Sequence, residues 1–171
     1  MKIDLSSINN SINTTVNLKN LLLAVLFAFI FTAPNTEVNA NEDGEELATY
    51  MGELQRLTHK LQLSIEANNP QLASFYLQES FHIYEEVQSK LPVYEDIPVA
   101  IYLDRFALPT YQPLRQFLSA KPTNIDPAQG SKMLNTIIEG CNKCHQVSHF
   151  GFVKIQSNSH NPYLQDFSPQ Q

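Results

Sequence analysis

Cys141-Asn142-Lys143-Cys144-His145 sets two thiols three positions apart, with an imidazole directly after the second. That spacing is the one that attaches c-type haem. On a helix, residues three and four apart share a face, so Cys141 is presented to the same side as Cys144 and His145. Each thiol can add across one haem vinyl group to make a thioether, and His145 would then sit beneath the iron as proximal ligand. Gly140, just ahead of the first cysteine, carries no side chain to hold the backbone away from a porphyrin edge.

Other chemistries use the same residue types. A zinc site usually needs four ligands, often from a second Cys or His pair, and the chain has no further cysteine. A thioredoxin-like pair normally lies near a strand and helix crossover, and no such pattern is present. A structural disulfide between Cys141 and Cys144 is the third alternative. The spacing favours haem over all three, and the expected exported context strengthens that preference.

The N-terminus reads as a targeting segment. An apolar run, 21–31, follows Lys19 and is too short for a spanning helix, which needs about 20 apolar residues. Val38-Asn39-Ala40 then offers small residues where an export peptidase reads, so residues 1–40 are expected to be a cleaved secretory signal peptide, with an uncleaved membrane anchor as the alternative. Residues 41–150 form one domain's worth of chain and 151–171 a tail. The net charge of -6 is unchanged by cleavage, because Lys2 and Lys19 offset Asp4 and Glu37. A mildly acidic chain argues against nucleic acid and against anionic lipid as partners. It fits a periplasmic protein, without stable membrane insertion once the signal is removed, that meets partners bearing basic docking patches.

The elements that must position the motif are helical. Leu47, Met51, Leu54, Thr58, Leu61 and Ile65 recur at alternating spacings of three and four, the seam of an amphipathic helix over 45–67. Asn68-Asn69-Pro70 stops it and starts a second helix to about residue 90, with Leu72, Phe75, Tyr76, Phe81, Ile83 and Val87 on its apolar side. Pro92 and Pro98 bracket a linker. A third helical segment, 99–120, contains Pro109 and Pro113 and is expected to break near Leu108 and restart. Asp126 as N-cap and Pro127 at the first helical position open a fourth helix, which carries Met133, Leu134, Ile137 and Ile138 into the motif and ends near Ser148. The tail is Ser, Asn, Gln and Pro rich; it either lies along the surface through Phe152, Ile155, Tyr163 and Phe167 or is partly disordered. The expected fold is all-α, an antiparallel up-and-down four-helix bundle with a broken third helix and an irregular C-terminal tail.

In such a bundle helix one runs opposite to helix four. Met51, about two turns into the first, and His145, about one turn from the end of the fourth, fall at the same end and can hold one iron between them. Met1 leaves with the signal, and Met133 shares the proximal helix. His82, on the helix returning toward that end, is the alternative distal ligand. His59 lies about 12 Å beyond Met51 along its helix, and His149 stays on the proximal side. His160 lies in the tail. An open sixth position is the remaining arrangement. Arg56, Arg105 and Arg115 are candidate partners for the haem propionates.

With these residues in place, the chain resembles the four-helix-bundle cytochromes, namely the cytochrome c-prime class and its low-spin relatives. That class carries its haem on a motif like Cys141–His145 near the end of the last helix. The opening Glu46-Leu-Ala-Thr-Tyr-Met-Gly-Glu-Leu54 is also similar to the first helix of the soluble b-type bundle cytochrome, where a methionine matching Met51 is an axial ligand. The resemblance extends from Glu45 to about Ser148. It implies one covalently held haem c, electron transfer and no enzymatic activity of its own. The alternative is a five-coordinate gas-binding or sensing haem protein. Homodimerisation is a feature the resemblance leaves open, and haem-based redox catalysis ranks last because only His59 and His82 offer a distal acid or base.

Overall fold

In the structure, a computed structural model, residues 40–170 are described. The leader up to residue 39, and with it the choice between a cleaved signal and an anchor, lies outside the described residues. The elements are α1 (Ala40–Glu66), α2 (Pro70–Lys90), α3 (Val99–Tyr102), a π-helical turn (Leu103–Ala107), α4 (Leu108–Ser119) and α5 (Pro127–Val147). The fold is all-α. The described residues contain no strand, only one isolated bridge between Tyr94 and Ile97 in the linker. None of their helices is long and apolar enough to cross a membrane.

The helix boundaries follow from local chemistry. Asn68 adopts a left-handed φ of 54°, which asparagine tolerates, and Asn69 N–H donates to the Ser64 carbonyl at 2.9 Å to close the end of α1. The side chain of Asn69 then accepts from Leu72 N–H at 3.0 Å as the N-cap of α2, with Pro70 at its first position. Asp126 caps α5 in the same way, accepting from Gln129 N–H at 2.8 Å.

The third segment differs from the expected break at Leu108. α3, the π-turn and α4 follow one another without an intervening loop. The helix absorbs its prolines by widening: Leu108 N–H reaches back five residues to the Leu103 carbonyl, just ahead of Pro109. One extra residue in the turn displaces the carbonyl that the proline ring would otherwise meet, and a wide turn of this kind is the usual form of a local π insertion.

α1 packs along α2 and α5, α5 also lies against α4 and the π-turn, and α2 meets α3 and α4. The shared core includes Leu61, Ile65, Val87, Tyr111, Leu114 and Ile137, each fully or almost fully buried. Side chains of this kind each contribute about 1.5–3 kcal/mol on burial. Met133, Leu134, Ile137 and Ile138 are buried as the periodicity predicts. On α2 the buried stripe is Ala73, Tyr76, Leu77, Ser80, Tyr84 and Val87. Phe75 is 51% exposed, because Tyr76 takes the core direction and adjacent helical positions point about 100° apart.

The tail is irregular but anchored. Asn69 Nδ2 donates to the carbonyls of Phe167 and Ser168, both at 3.1 Å, and Phe167 is buried. Asn158 N–H donates to Gln62 Oε1 at 2.9 Å, and Lys60 Nζ to Gln165 Oε1 at 3.0 Å. Ile155 and Tyr163 pack against the core, whereas Phe152 is 79% exposed.

Candidate functional site

Cys141, Cys144 and His145 open onto a cavity of about 520 Å³. That size lies within the range of small-molecule and cofactor sites, about 300–1,000 Å³. α1 contributes Leu47, Met51, Leu54 and Thr58 from its seam, and Gly44, Ala48 and Gly52 from a second row at intervals of four. Tyr94, Ile97, Val99 and Leu103 close another side, and Phe150 with Val153 and Ile155 of the tail closes a third. The lining is largely apolar.

Met51 and His145 thus share one cavity, and Met51 is half-buried. His82 is exposed on α2 and is not among the lining residues. His59 is held by the tail instead. Its Nδ1 lies 3.3 Å from the Tyr163 hydroxyl and its ring packs at 5.5 Å from the tyrosine ring, with Nε2 buried and without a hydrogen-bond partner. His149 and His160 are exposed. None of the three arginines lines the cavity: Arg56 pairs with Glu53, Arg105 lies over Phe106 and Arg115 over Phe81.

The ring of His145 is fixed by the tail. Its Nδ1 lies 2.9 Å from the Val153 carbonyl, which can only accept, so Nδ1 carries the proton. That tautomer leaves Nε2 with a lone pair for a metal, the arrangement in which a histidine ligand is oriented and made more basic by a backbone carbonyl.

Behind Cys141 lies a buried phenol pair. Tyr84 donates to Tyr111 across 3.2 Å. Removal from water pushes the thiol up to about 11 and raises both phenols, since no charged form is stable there. Burial also raises Cys144. Both cysteines are free thiols. Among the described residues no three of His, Cys, Asp and Glu converge as a bare metal cage would need.

Gly140 does not serve the cavity edge. A Cβ there would stand 2.6 Å from Thr110 Cγ2 and 2.8 Å from the Phe106 carbonyl, so the glycine lets α5 press against α4 and the π-turn. That close approach presents the next residue, Cys141, inward. The residues the pattern missed are Gly44, Ala48 and Gly52, whose signal is small size at every fourth position, and Tyr84, which lies outside the apolar set assigned to the second helix.

The donor set fits a covalently held haem. Two thiols and an imidazole whose proton is held on the far nitrogen, Nδ1, border an apolar space from one helix, and a thioether borders the same space from another. No family model, curated protein or solved structure matches the chain.

Proposed function

We propose that this chain is an exported monohaem c-type cytochrome that transfers electrons in the periplasm. The observation that carries the reading is that Cys141, Cys144, His145 and Met51 all line one apolar cavity. When bound, the haem would supply a one-electron couple between ferric and ferrous iron. The chain's own residues do the rest. Cys141 and Cys144 would hold the haem through thioethers to its two vinyl groups, an addition that would need no external oxidant. His145 Nε2 and the Met51 thioether would hold the iron, an arrangement that would raise the potential, and the apolar walls would exclude water.

In this reading the helices form an antiparallel up-and-down four-helix bundle. Supporting it are the three-residue connection between α1 and α2, the approach of Gly130 on α5 to Ile65 on α1, and the meeting of Met51 with His145 in the cavity. Moving forward along α1 therefore corresponds to moving backward along α5. The partner would be a redox protein with a basic patch, held by a weak, salt-sensitive contact to this acidic chain.

The test is the optical spectrum of the mature protein made with haem-maturation machinery, oxidised and reduced, with and without carbon monoxide. Covalent haem with a sulfur-to-iron charge-transfer band, lost in Met51→Ala, is the expected result. Ready carbon monoxide binding by a high-spin iron would replace electron transfer with gas binding at an open site. Absence of covalent haem would overturn the reading altogether.

A further inference from the structure

Two residues, Asn142 and Lys143, lie between the cysteines and neither is used by the attachment chemistry; Asn142 is the one that reaches the tail. It lies on the side of α5 that faces the tail, and it brackets one residue there from both ends. Asn142 Nδ2 donates to the Ile155 carbonyl at 2.9 Å, and Asn142 Oδ1 accepts from Ile155 N–H at 2.8 Å. An amide satisfying both main-chain groups of one residue fixes its position and its rotation, as a strand neighbour would. Two residues earlier, the Val153 carbonyl meets His145 Nδ1. Between helix and bracket the chain is already tightly turned, with Phe150 N–H donating to His145 at 2.8 Å and Val153 N–H to Phe150 at 2.8 Å. Val153 itself is 41% exposed, so packing alone holds it weakly.

We propose that Asn142 is a positioning residue for the metal-binding histidine: by clamping Ile155 it holds the Val153 carbonyl on His145 Nδ1 and so sets the tautomer, the ring orientation and the donor strength of that histidine. The segment 150–156 is then a strap belonging to the site, with Val153 and Ile155 also walling the cavity. The part concerning iron rests on the haem reading; the part concerning the ring's proton does not. A hydrogen bond to the far nitrogen makes an imidazole a stronger donor and favours ferric iron, so loosening the strap raises the reduction potential.

The test uses the full chain with two sets of readouts. In the haem-free protein, ring nitrogen shifts report the His145 tautomer and amide exchange reports Ile155. Asn142→Ala is expected to speed Ile155 exchange at least tenfold and to move His145 from the Nδ1–H form toward the Nε2–H form. Asn142→Asp keeps the acceptor, sets a carboxylate against the Ile155 carbonyl and moves both readouts the same way, which guards against a variant that fails to fold. Asn161→Ala removes the bonds to Tyr163 N–H and the Gln165 carbonyl further along the tail, and leaves His145 unchanged. In the haem-loaded protein the midpoint potential rises for the Asn142 variants only. An unchanged tautomer in both Asn142 variants would overturn the proposal, as would an equal response to Asn161→Ala. Failure to load haem would overturn the function while the haem-free readouts still decide the role of Asn142.

Discussion

The two ends of the α1 and α5 pair are made from one apolar pattern and do opposite things. At one end Gly130 brings α5 so close that an added Cβ would fall under 3.0 Å from Ile65 and Ile125 side chains, both of which are essentially buried. At the other end Leu47 and Met51, from the same seam, are only half-buried and look into open space. Gly52 there has nothing within 4 Å of an added Cβ. A seam residue becomes core where its neighbour helix presents a glycine at the contact. It becomes a cavity wall where the small residues lie on its own helix and the neighbour presents a motif.

Equal truncations at the two ends therefore have unequal costs. Leu61→Ala in the closed end should destabilise the haem-free protein by about 2–5 kcal/mol, because the surroundings collapse only partly into the space left. Met51→Ala should fall below the lower end of that range, since the side chain already borders a void; both are read from denaturant midpoints at constant m-value. Comparable losses would mean that the cavity end is packed too.

The next contrast in size comes from glycine. Gly130→Ala should cost about 1–3 kcal/mol by overpacking Ile65 and Ile125. Gly52→Ala should instead stabilise by up to about 1 kcal/mol, because alanine is the better helix former and meets no neighbour. Thermal unfolding of the two variants against the parent checks the opposite signs.

How much of this was legible in the residues depends on what kind of force placed them. Asn68, Asn69, Asp126 and their prolines read correctly because capping is local chemistry, settled within four residues. The buried run Met133 to Ile138 read correctly because period alone decides it. Phe75 turns outward, unlike the expectation, because the neighbouring Tyr76 takes the core direction. Pro109 reads locally as a break, whereas the π-turn that accommodates it lies where α5 packs closely, with Gly140 against Thr110. The tail was open between order and disorder because its composition is polar. It is ordered by side chains far away in sequence, Gln62, Asn69 and Asn142, each reaching a main-chain group. For the site, spacing gave the three motif residues, whereas the small row on α1 and the carbonyl on His145 emerge only in three dimensions.

Alkaline titration sharpens the comparison from the cavity side. Cys141 rises from its ordinary 9.0 to about 11 on folding. Between those values the unfolded chain has lost the proton that the folded chain retains, so stability falls as pH rises from 9.0 to about 11 in the haem-free protein. The Tyr84 and Tyr111 phenols, raised by burial, extend the fall in the same direction. Unfolding midpoints across this interval should decline less in Cys141→Ala, and an identical slope would locate the sensitivity elsewhere.

The smallest expected effect compares the two helix ends themselves. α1 stops at the closed end and α5 at the cavity end with the same hydrogen bonds: Asn69 N–H to Ser64 and Asn68 N–H to Ile65 in one, Phe150 N–H to His145 and His149 N–H to Gln146 in the other. Each motif needs one left-handed residue, Asn68 at 54° and His149 at 65°. His149 is exposed and pays for its Cβ in a conformation that glycine adopts freely. His149→Gly should therefore stabilise by about 0.5–1 kcal/mol. Asn68→Gly relieves less strain, and it removes the acceptor that holds Ile125 N–H at 2.6 Å and the donor to Asn124 at 3.2 Å. It should destabilise by about 1 kcal/mol. One substitution in one backbone conformation should thus change sign between the two ends, because at the closed end the capping side chain also ties α1 to the loop ahead of α5, and at the cavity end it ties nothing.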